Sequence, residues 1–476
     1  MRTLCTLVIL MAIGTSAAGQ ERNRHWFWQL DVRLSIGPDG PALITGPPVL
    51  EGWDGQACMS DVNGALQFYS GRDGVRNASG AHIQGNTVFD GIEQFRNVSA
   101  LPWPENPTHY LLLAAVSEDQ SFDEATKWLG YVDIDMSEDT GHGGIVSPQF
   151  QILDDSVCFM NVTTPHGNGS DYWVLTHKLG SADFHCFQIG ALGPVSVPVV
   201  SSTGPVLSDN PYVVQDARFS YDGGMLAMVN NGTFELFTFN DQDGTLDWVF
   251  TEPEAEHMVT AEFSHSGRYL YAIDRDSLRH IYQYDLVDLN QAAIMASKTS
   301  VFELEYIQNV QDINTYLRLA PDRRIYFDHL DFDGDSSFLC AIDRPDTAGL
   351  ACDVQYQMMD VAPGSFFNRT AVNQCKRYHD SGNAVSMAEQ QAPAVLQIWP
   401  TPVLDGRVWL QVPEQRAADV ARIHDDSGRL VRTIPIGRTV PRSLDVSGLA
   451  AGSYTVSLLH GAETVGTGRL LIASGR

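Results

Sequence analysis

Short runs of alternating apolar and polar residues, separated by turns rich in Gly, Asp and Asn, fill the chain from Trp26 to the 380s. Alternation with a period of two is typical of β-strands that bury one face. Apolar residues at helical spacing are scarce in the same region. The pattern therefore predicts an all-β fold.

A strand–turn–strand block recurs within this region. Its copies are MSDVNGALQFYS from Met59, RFSYDGGMLAMV from Arg218, EFSHSGRYLYAI from Glu262 and RLAPDRRIYFDH from Arg318. An all-β repeat of roughly 40 to 55 residues is typical of β-propeller blades, which protect each other's edges by packing around an axis. At about 50 residues per blade, residues 21–375 would hold about seven blades, with six or eight left open. Two stacked β-sandwiches, the rival fold, would not need a repeated turn motif.

A second region begins after a polar stretch without periodicity. Residues 376–393, KRYHDSGNAVSMAEQQAP, are predicted to be a linker. Residues 394–476 then show short strands at regular spacing, which predicts a small Ig-like β-sandwich. The expected architecture is a propeller followed by this sandwich.

The N-terminus has the pattern of a secretory signal peptide. Arg2 precedes the apolar run LCTLVILMAI, and the small residues of GTSAAG follow. This predicts that residues 1–20 direct export, because the run is too short to span a bilayer. No later segment reads as a membrane helix.

Charge is unevenly distributed along the chain. The net charge is −28, whereas the part from Ala394 onward carries nine Arg and seven acidic residues. The acidic body argues against nucleic acid or an anionic membrane as a partner. It also leaves many carboxylates available to divalent cations.

Six cysteines remain after the predicted signal peptide, an even number in an exported chain. Disulfides are therefore expected, although six cysteines allow 15 pairings. Closeness in sequence favours Cys340–Cys352, with Cys158–Cys186 as a second pair, which leaves Cys58–Cys375 to tie the two ends of the body together. The chain has no CxxC pair of a zinc or thioredoxin-type site.

Catalytic signatures are missing from the sequence. There is no HExxH, GxSxG, P-loop or Rossmann glycine run. In DFDGDSS, the alternating Asp331, Asp333 and Asp335 could fold around Ca²⁺. A hairpin turn between blade strands explains the same residues. No cofactor is expected apart from this calcium candidate.

The C-terminal region carries three ordered motifs. IWPTPVLDGRVWL contains Trp399, Pro400 and Pro402; DDSGRLVRTI contains Gly428 and Arg429; GLAAGSYTVSLL contains Leu449, Gly452 and Tyr454. Together they resemble the C-terminal sorting domain of proteins exported by the Bacteroidetes type IX (Por) secretion system. The departures are Trp399 for Tyr, Thr401 and Ser427 for Asn, and Arg469 for a terminal Lys. The body resembles, less specifically, WD-repeat and YVTN-type propellers.

These resemblances imply a location more than an activity. A protein of this kind would cross the periplasm to become secreted or attached to the outer-membrane surface, with the type IX machinery as one partner. The propeller would act as a binding module for an unknown protein or glycan. The alternative is a secreted polysaccharide hydrolase or lyase that uses the central cleft, which would need two carboxylates there.

Overall fold

The structure is a computed structural model that describes most of the chain. The described residues are 18–28, 32–37, 40–44, 56–71, 74–90, 92, 94–117, 127–252, 258–274, 280–303, 316–331, 336–361, 375–379, 394–395, 397–399, 403, 406–411, 420–425, 429–435, 442–460 and 463–473. The chain divides into two compact units, residues 1–382 and 383–476. Within the described ranges, no helix has the length and apolar character needed to cross a membrane.

Seven antiparallel sheets, here called blades 1 to 7, follow one another along the described part of the first unit. Blade 1 contains β1 (His25–Trp28), β2 (Val32–Gly37) and β3 (Gly40–Ile44). Blade 2 contains β4 (Ala57–Ser60), β5 (Leu66–Gly71) and β6 (Gly74–Asn77). Blade 3 contains β7 (Gln94–Pro102), β8 (His109–Ser117), β9 (Lys127–Asp135), β10 (Gly144–Ile145) and β11 (Gln151–Asp155). Blade 4 contains β12 (Val162–Pro165), β13 (Tyr172–His177), β14 (Asp183–Gly190), β15 (Gly193–Pro194) and β16 (Val199–Ser202).

The last three blades are four-stranded meanders in which each strand pairs with the next along the chain. Blade 5 contains β17 (Val214–Phe219), β18 (Met225–Asn230), β19 (Thr233–Asn240) and β20 (Thr245–Thr251). Blade 6 contains β21 (Met258–Phe263), β22 (Tyr269–Asp274), β23 (His280–Asp285) and β24 (Thr299–Glu303). Blade 7 contains β25 (Arg318–Leu319), β26 (Ile325–Asp331), β27 (Ser336–Ile342) and β28 (Val354–Val361). The helical segments are the 3-10 helices Ala18–Asn23, Asn86–Phe89 and Gly349–Cys352, with α1 (Glu138–Gly141) and α2 (Gln291–Ser297).

Apolar layers between neighbouring blades join these sheets into a closed ring. Phe234 of blade 5 packs against Tyr284 of blade 6 with ring centroids 5.0 Å apart, and other clusters join blades 2 to 3, 4 to 5 and 6 to 7. The ring closes where Trp26 of blade 1 meets Tyr326 of blade 7, with ring centroids 5.8 Å apart. This arrangement is a propeller, and seven sheets agree with the predicted number of blades.

A polar side chain fixes the turn between the first two strands in blade 5. The Ser220 hydroxyl donates to Asp222 Oδ1 at 2.6 Å and accepts from the Met225 amide at 3.0 Å. Gly223 has a φ of +84° in this turn, and a Cβ there would lie 2.5 Å from Thr164 Oγ1. The turn therefore requires glycine for both its backbone conformation and its close contact with blade 4.

The second unit contains two sheets that enclose an apolar core. One has the order β29 (Ala394–Val395), β36 (Glu463–Ile472), β35 (Gly452–His460), β32 (Val420–Asp425) and β33 (Leu430–Pro435). The other has the order β30 (Gln397–Trp399), β31 (Arg407–Gln411) and β34 (Arg442–Asp445). Residues from both sheets, including Leu410 and Val456, form the core. The unit is therefore the small β-sandwich that the sequence predicts.

Candidate functional site

The first strands of blades 5, 6 and 7 bring charged residues together at the centre of the propeller. In β17, Ala217 and Phe219 enter the apolar layer between blades, whereas the alternate residues Asp216 and Arg218 face other charged groups. Alternation along a strand produces this division. The charged positions therefore lie on the inner face of the blade.

Asp216 links two arginines from different blades. Its Oδ1 lies 3.3 Å from Arg218 Nε, and its Oδ2 lies 3.0 Å from Arg318 Nη1. The Thr260 hydroxyl from blade 6 donates to Oδ2 at 2.7 Å. Burial alone would raise the pKa of Asp216, but the two guanidinium groups and these hydrogen bonds outweigh burial, so the pKa is lowered. Asp216 is consequently an ionised bridge between blades 5, 6 and 7.

Glu262 forms a second buried ion pair with Lys376. Its Oε1 accepts from Lys376 Nζ and from the Phe263 amide, and its Oε2 accepts from the Leu319 amide at 3.1 Å. Lys376 Nζ also donates to the Phe219 carbonyl at 2.7 Å. Burial lowers the pKa of Lys376 and the positive charges of two arginines lower it further, while Glu262 opposes both effects.

Lys376 belongs to an extended segment, residues 375–379, which we call the central strap. The Asn23 side-chain amide donates to the Cys375 carbonyl at 2.6 Å, and Tyr378 donates its hydroxyl to Asn23 Oδ1 at 2.9 Å. The His379 amide donates to the Tyr172 hydroxyl of blade 4 at 2.8 Å. The strap thus contacts the N-terminal segment, the second strand of blade 4 and the first strands of blades 5 and 6. The sequence assigned residues from 376 onward to a linker, but 376–379 pack inside the first unit.

The central charges are closed off and paired. Arg218 and Arg318 are each 2% exposed, and Glu262 is 1% exposed. Burial, with the charge of Arg318 in second place, lowers the pKa of Arg218 to about 10, which leaves it cationic at neutral pH. A glycosidase needs a carboxylic acid whose pKa is raised, whereas Asp216 has a lowered pKa and Glu262 is paired with Lys376. These two carboxylates therefore do not have the electrostatics of that catalytic pair.

Histidine and aromatic rings cluster at the turns that join the first and second strands of blades 4, 5 and 6. We call this end of the propeller the turn face. Tyr221 stacks on His265 with centroids 4.2 Å apart and planes 30° apart. His166 stacks on Trp173 at 4.6 Å. His379 of the central strap packs against Tyr172 at 5.2 Å. Tyr221 and His265 are partly exposed, so this end of the propeller carries rings that solvent partly reaches.

The calcium candidates are described only in part. Asp331 is the last residue of β26 and pairs with Ser336 of β27. Asp333 and Asp335 lie outside the described residues. Among the residues that are described, no group of three or more His, Cys, Asp or Glu side chains is arranged to hold a metal ion. Calcium binding at 331–335 stays a prediction.

The cysteines differ from the expected disulfide framework. All six cysteines in the described part of the chain are buried free thiols: Cys58, Cys158, Cys186, Cys340, Cys352 and Cys375. Cys158 and Cys186 share one apolar layer, and Cys340 and Cys352 share another, but no S–S bond joins either pair. They pack as small apolar side chains. Burial raises the pKa of Cys58, Cys158, Cys340 and Cys375 to about 12, so these thiols stay protonated at neutral pH.

The sorting-motif residues lie at corners and strand ends of the sandwich. Trp399 ends β30 opposite Trp409, and Arg429 Nε lies 3.1 Å from Asp425 Oδ2. Leu449 packs against the core, and Gly452 begins β35. The Tyr454 hydroxyl donates to the Ala450 carbonyl at 2.8 Å, which ties the start of β35 to the preceding turn. Pro400, Pro402 and Gly428 lie outside the described residues.

The sequence contained a signal for the central cluster that motif searching missed. Three of the four repeated blocks begin with a charged residue, Arg218, Glu262 or Arg318, immediately before an apolar residue of an otherwise buried strand. The equivalent position in the first block is Met59. A charge that recurs at one position of a blade repeat must face the axis, because each blade places that position alike. Nothing in the sequence around Lys376 identifies it as their partner.

Comparisons with known proteins find similar folds only. No protein-family model matches this sequence, and no curated protein matches it. Among solved structures, the Cps50 (Swd1) β-propeller domain of Myceliophteria thermophila is 12% identical, with 66% of this chain and 94% of that chain covered and a TM-score of 0.39. A putative 6-phosphogluconolactonase from Bacteroides fragilis is 13% identical, with 65% and 91% covered and a TM-score of 0.33. A putative TolB from Agrobacterium tumefaciens is 12% identical, with 59% and 86% covered and a TM-score of 0.33. Likeness at this level carries no information on function.

Proposed function

We propose that this chain is an exported bacterial surface protein whose propeller binds an extracellular partner on the turn face. The observation that carries this proposal is the stacked pair of Tyr221 and His265, which is partly exposed at that end. Aromatic side chains give binding sites a large contact area at a small cost in conformational entropy. A neutral glycan is the ligand of choice, because the strongly acidic body repels anionic polymers.

The state of the propeller centre supports binding over catalysis. Asp216 and Glu262 are each held in buried ion pairs, and the central strap hydrogen-bonds the end of β17 in blade 5 and Tyr172 in blade 4. A partner would therefore meet the ends of the blades and the strap before it met the central carboxylates. Binding at such a surface needs no rearrangement of the ion pairs.

The binding site can be tested with immobilised neutral polysaccharides of known composition and purified full-length protein. We expect Tyr221→Ala and His265→Ala each to weaken binding about tenfold or more, as loss of a central aromatic contact does. Trp248→Ala is the matched control, since Trp248 is an aromatic residue 45% exposed on the outer strand β20. Equal loss in all three variants, or no loss in any of them, would contradict a site on the turn face.

The same samples distinguish binding from cleavage. Release of reducing ends or of unsaturated sugar products by the wild-type protein would favour the polysaccharide hydrolase or lyase. Binding that leaves the polymer intact is the expected result. If no polysaccharide binds but a protein ligand does, Tyr221→Ala and His265→Ala should bind that protein more weakly than the wild type does.

We further propose that residues 394–476 direct export through the type IX secretion system. The support is the sequence likeness and a compact sandwich in which Gly452 and Tyr454 shape the beginning of β35. The mature protein would reach the outer-membrane surface or the medium through the periplasm. The test is fractionation of cells that express the full chain or a chain lacking 394–476. Normal arrival of the truncated chain outside the cell would refute this assignment.

A point variant in the sandwich sharpens this test. Tyr454→Ala removes the hydroxyl that donates to Ala450 and should cause the protein to accumulate in the periplasm. Arg422→Ala changes an exposed residue of β32 in the same sandwich that lies outside the three quoted motifs. It should be exported normally.

A further inference from the structure

The blade 4 rim, our name for residues 192–202 around the outer strand β16, carries exposed aliphatic side chains. Val195, Val197 and Val200 are 46%, 75% and 51% exposed, and Leu192 in the preceding turn is fully exposed. These four are among only fourteen large apolar side chains that are exposed in the described part of the chain. Single exposed apolar residues need no explanation, whereas a group of them along one strand indicates an interaction surface.

The main chain of the blade 4 rim is an open sheet edge. In an antiparallel sheet, every second residue of an edge strand points its N–H and C=O groups away from the sheet. The neighbouring edge in blade 5 is covered, because the Leu246 amide donates to Ser201 Oγ at 3.0 Å and the Trp248 amide donates to Thr203 Oγ1 at 3.1 Å. Strand β16 pairs with β14 on one side, and within the described residues nothing covers its other side in this way. Another strand can therefore extend the sheet of blade 4 at the rim.

The blade 4 rim is uncharged, although the chain is strongly acidic. Residues 186–208, CFQIGALGPVSVPVVSSTGPVLS, contain no Asp, Glu, Lys, Arg or His, whereas the net charge of the chain is −28. Two copies of so acidic a protein repel each other, and an uncharged surface is where that repulsion is smallest. The charged residues of β14 beside the rim already have partners: Asp183 accepts from the Ser202 hydroxyl, and His185 Nδ1 lies 2.8 Å from Asp154 Oδ2. A cationic or anionic partner would therefore find no complementary charge at the rim.

We propose that the blade 4 rim is the interface of a homodimer, in which β16 of two copies pairs antiparallel across a two-fold axis. A two-fold axis makes identical strands antiparallel, so each copy supplies partners for the outward N–H and C=O groups of the other. It also brings the uncharged apolar rim of one copy against the same surface of the second. The exposed rim side chains present on the order of several hundred Å² of apolar surface, comparable with the apolar share of a standard interface, which buries about 800 Å² per partner. Pro198 and Pro205 cannot donate to a ladder and flank the pairing segment, so the pairing stays short and the assembly closes as a dimer.

Sedimentation velocity of the purified full-length protein over a range of concentrations tests the dimer. We expect a reversible equilibrium between monomer and dimer with a dissociation constant of about 1–10 µM. Val200→Glu should raise this constant about a hundredfold or more, because the two-fold axis brings two like charges together in a desolvated interface. Val287→Glu is the matched control, since Val287 is 76% exposed in the loop after β23 of blade 6 and gains the same charge. The control should dimerise as the wild type does.

A charge-swapped mixture and hydrogen exchange distinguish this interface from any other. Val200→Lys alone should be monomeric, and an equimolar mixture with Val200→Glu should form heterodimers, because opposite charges then meet across the axis. Amides in Val199–Ser202 that point outward should exchange about tenfold more slowly in the wild-type dimer than in monomeric Val200→Glu.

The dimer proposal is overturned if the wild-type protein stays monomeric up to about 100 µM, which would leave the rim to a different partner. It is also overturned if the wild type dimerises but Val200→Glu dimerises equally well, if the mixture stays monomeric, or if the amides of Val199–Ser202 exchange alike in dimer and monomer. An unchanged melting temperature shows that each variant folds.

Discussion

At the scale of single residues, removing one partner of the buried Glu262–Lys376 ion pair should destabilise the protein strongly, because the other partner stays charged. Glu262→Gln leaves the Lys376 ammonium buried near Arg218 and Arg318 without its counter-charge. We expect the free energy of unfolding to fall by about 3–5 kcal/mol. Equilibrium unfolding in urea measures this difference.

A matched pair of variants separates the buried charge from the loss of contacts. Glu262→Gln with Lys376→Met removes both charges and should recover part of the lost stability, because no unpaired ion remains. Arg344→Met breaks an exposed pair with Asp353 at the rim of blade 7 and should change stability by no more than about 1 kcal/mol. A double variant less stable than Glu262→Gln would contradict the explanation.

Glu235 should make stability depend on pH. It lies in β19 at 1% exposure, and its Oε1 accepts from the Asn230 amide. Burial raises the pKa of Glu235 from 4.5 to about 7, and the hydrogen bond from Asn230 opposes that shift. The folded protein therefore holds this proton more tightly than the unfolded chain does, so the stabilising contribution of Glu235 is fully present below about pH 4.5 and is lost as the pH rises through about 7.

Glu235→Gln removes this titration and provides the measurement. Relative to the wild type, the variant should gain about 2–3 kcal/mol in the free energy of unfolding between pH 4.5 and pH 7.5. Glu138→Gln, an exposed change in α1, serves as the parallel control. A difference between Glu235→Gln and wild type that does not vary with pH would show that the carboxyl does not titrate in this range.

At the scale of elements, the central strap should hold the propeller closed through one buried ring. Tyr378 is 5% exposed and donates its hydroxyl to Asn23. Tyr378→Ala should lower the free energy of unfolding by about 3–5 kcal/mol, since a buried aromatic side chain is lost. Tyr378→Phe removes only the hydrogen bond and should lower it by about 1 kcal/mol. Similar values for both variants in urea unfolding would mean that the ring itself contributes little.

The strap also shows where inference from sequence stops. Blade strands follow from alternation and from turns such as Ser220–Asp222, because these depend on residues close together in the chain. Lys376 meets Glu262 across a separation of 114 residues, and the polar residues around it have no period that reveals burial. The expected disulfides do not form in the structure for a related reason. The spacing of cysteines in the sequence does not indicate whether Cys340 packs in a core as a free thiol or forms a disulfide bond.

At the scale of the whole molecule, the two units should unfold as separate cooperative bodies. The core of the sandwich is built from its own residues, between Ile398 and Ile472, and the propeller layers likewise belong to residues before 383. A fragment of residues 383–476 should therefore fold alone, since domains with their own cores do so. Calorimetry of this fragment, of residues 21–382 and of the full mature chain should give two transitions in the full chain that match the two fragments. A single transition in the full chain, or a fragment 383–476 without cooperative melting, would show that each unit needs the other. In the expected case the sandwich can be removed without loss of the propeller, which is compatible with the separate export role proposed for it.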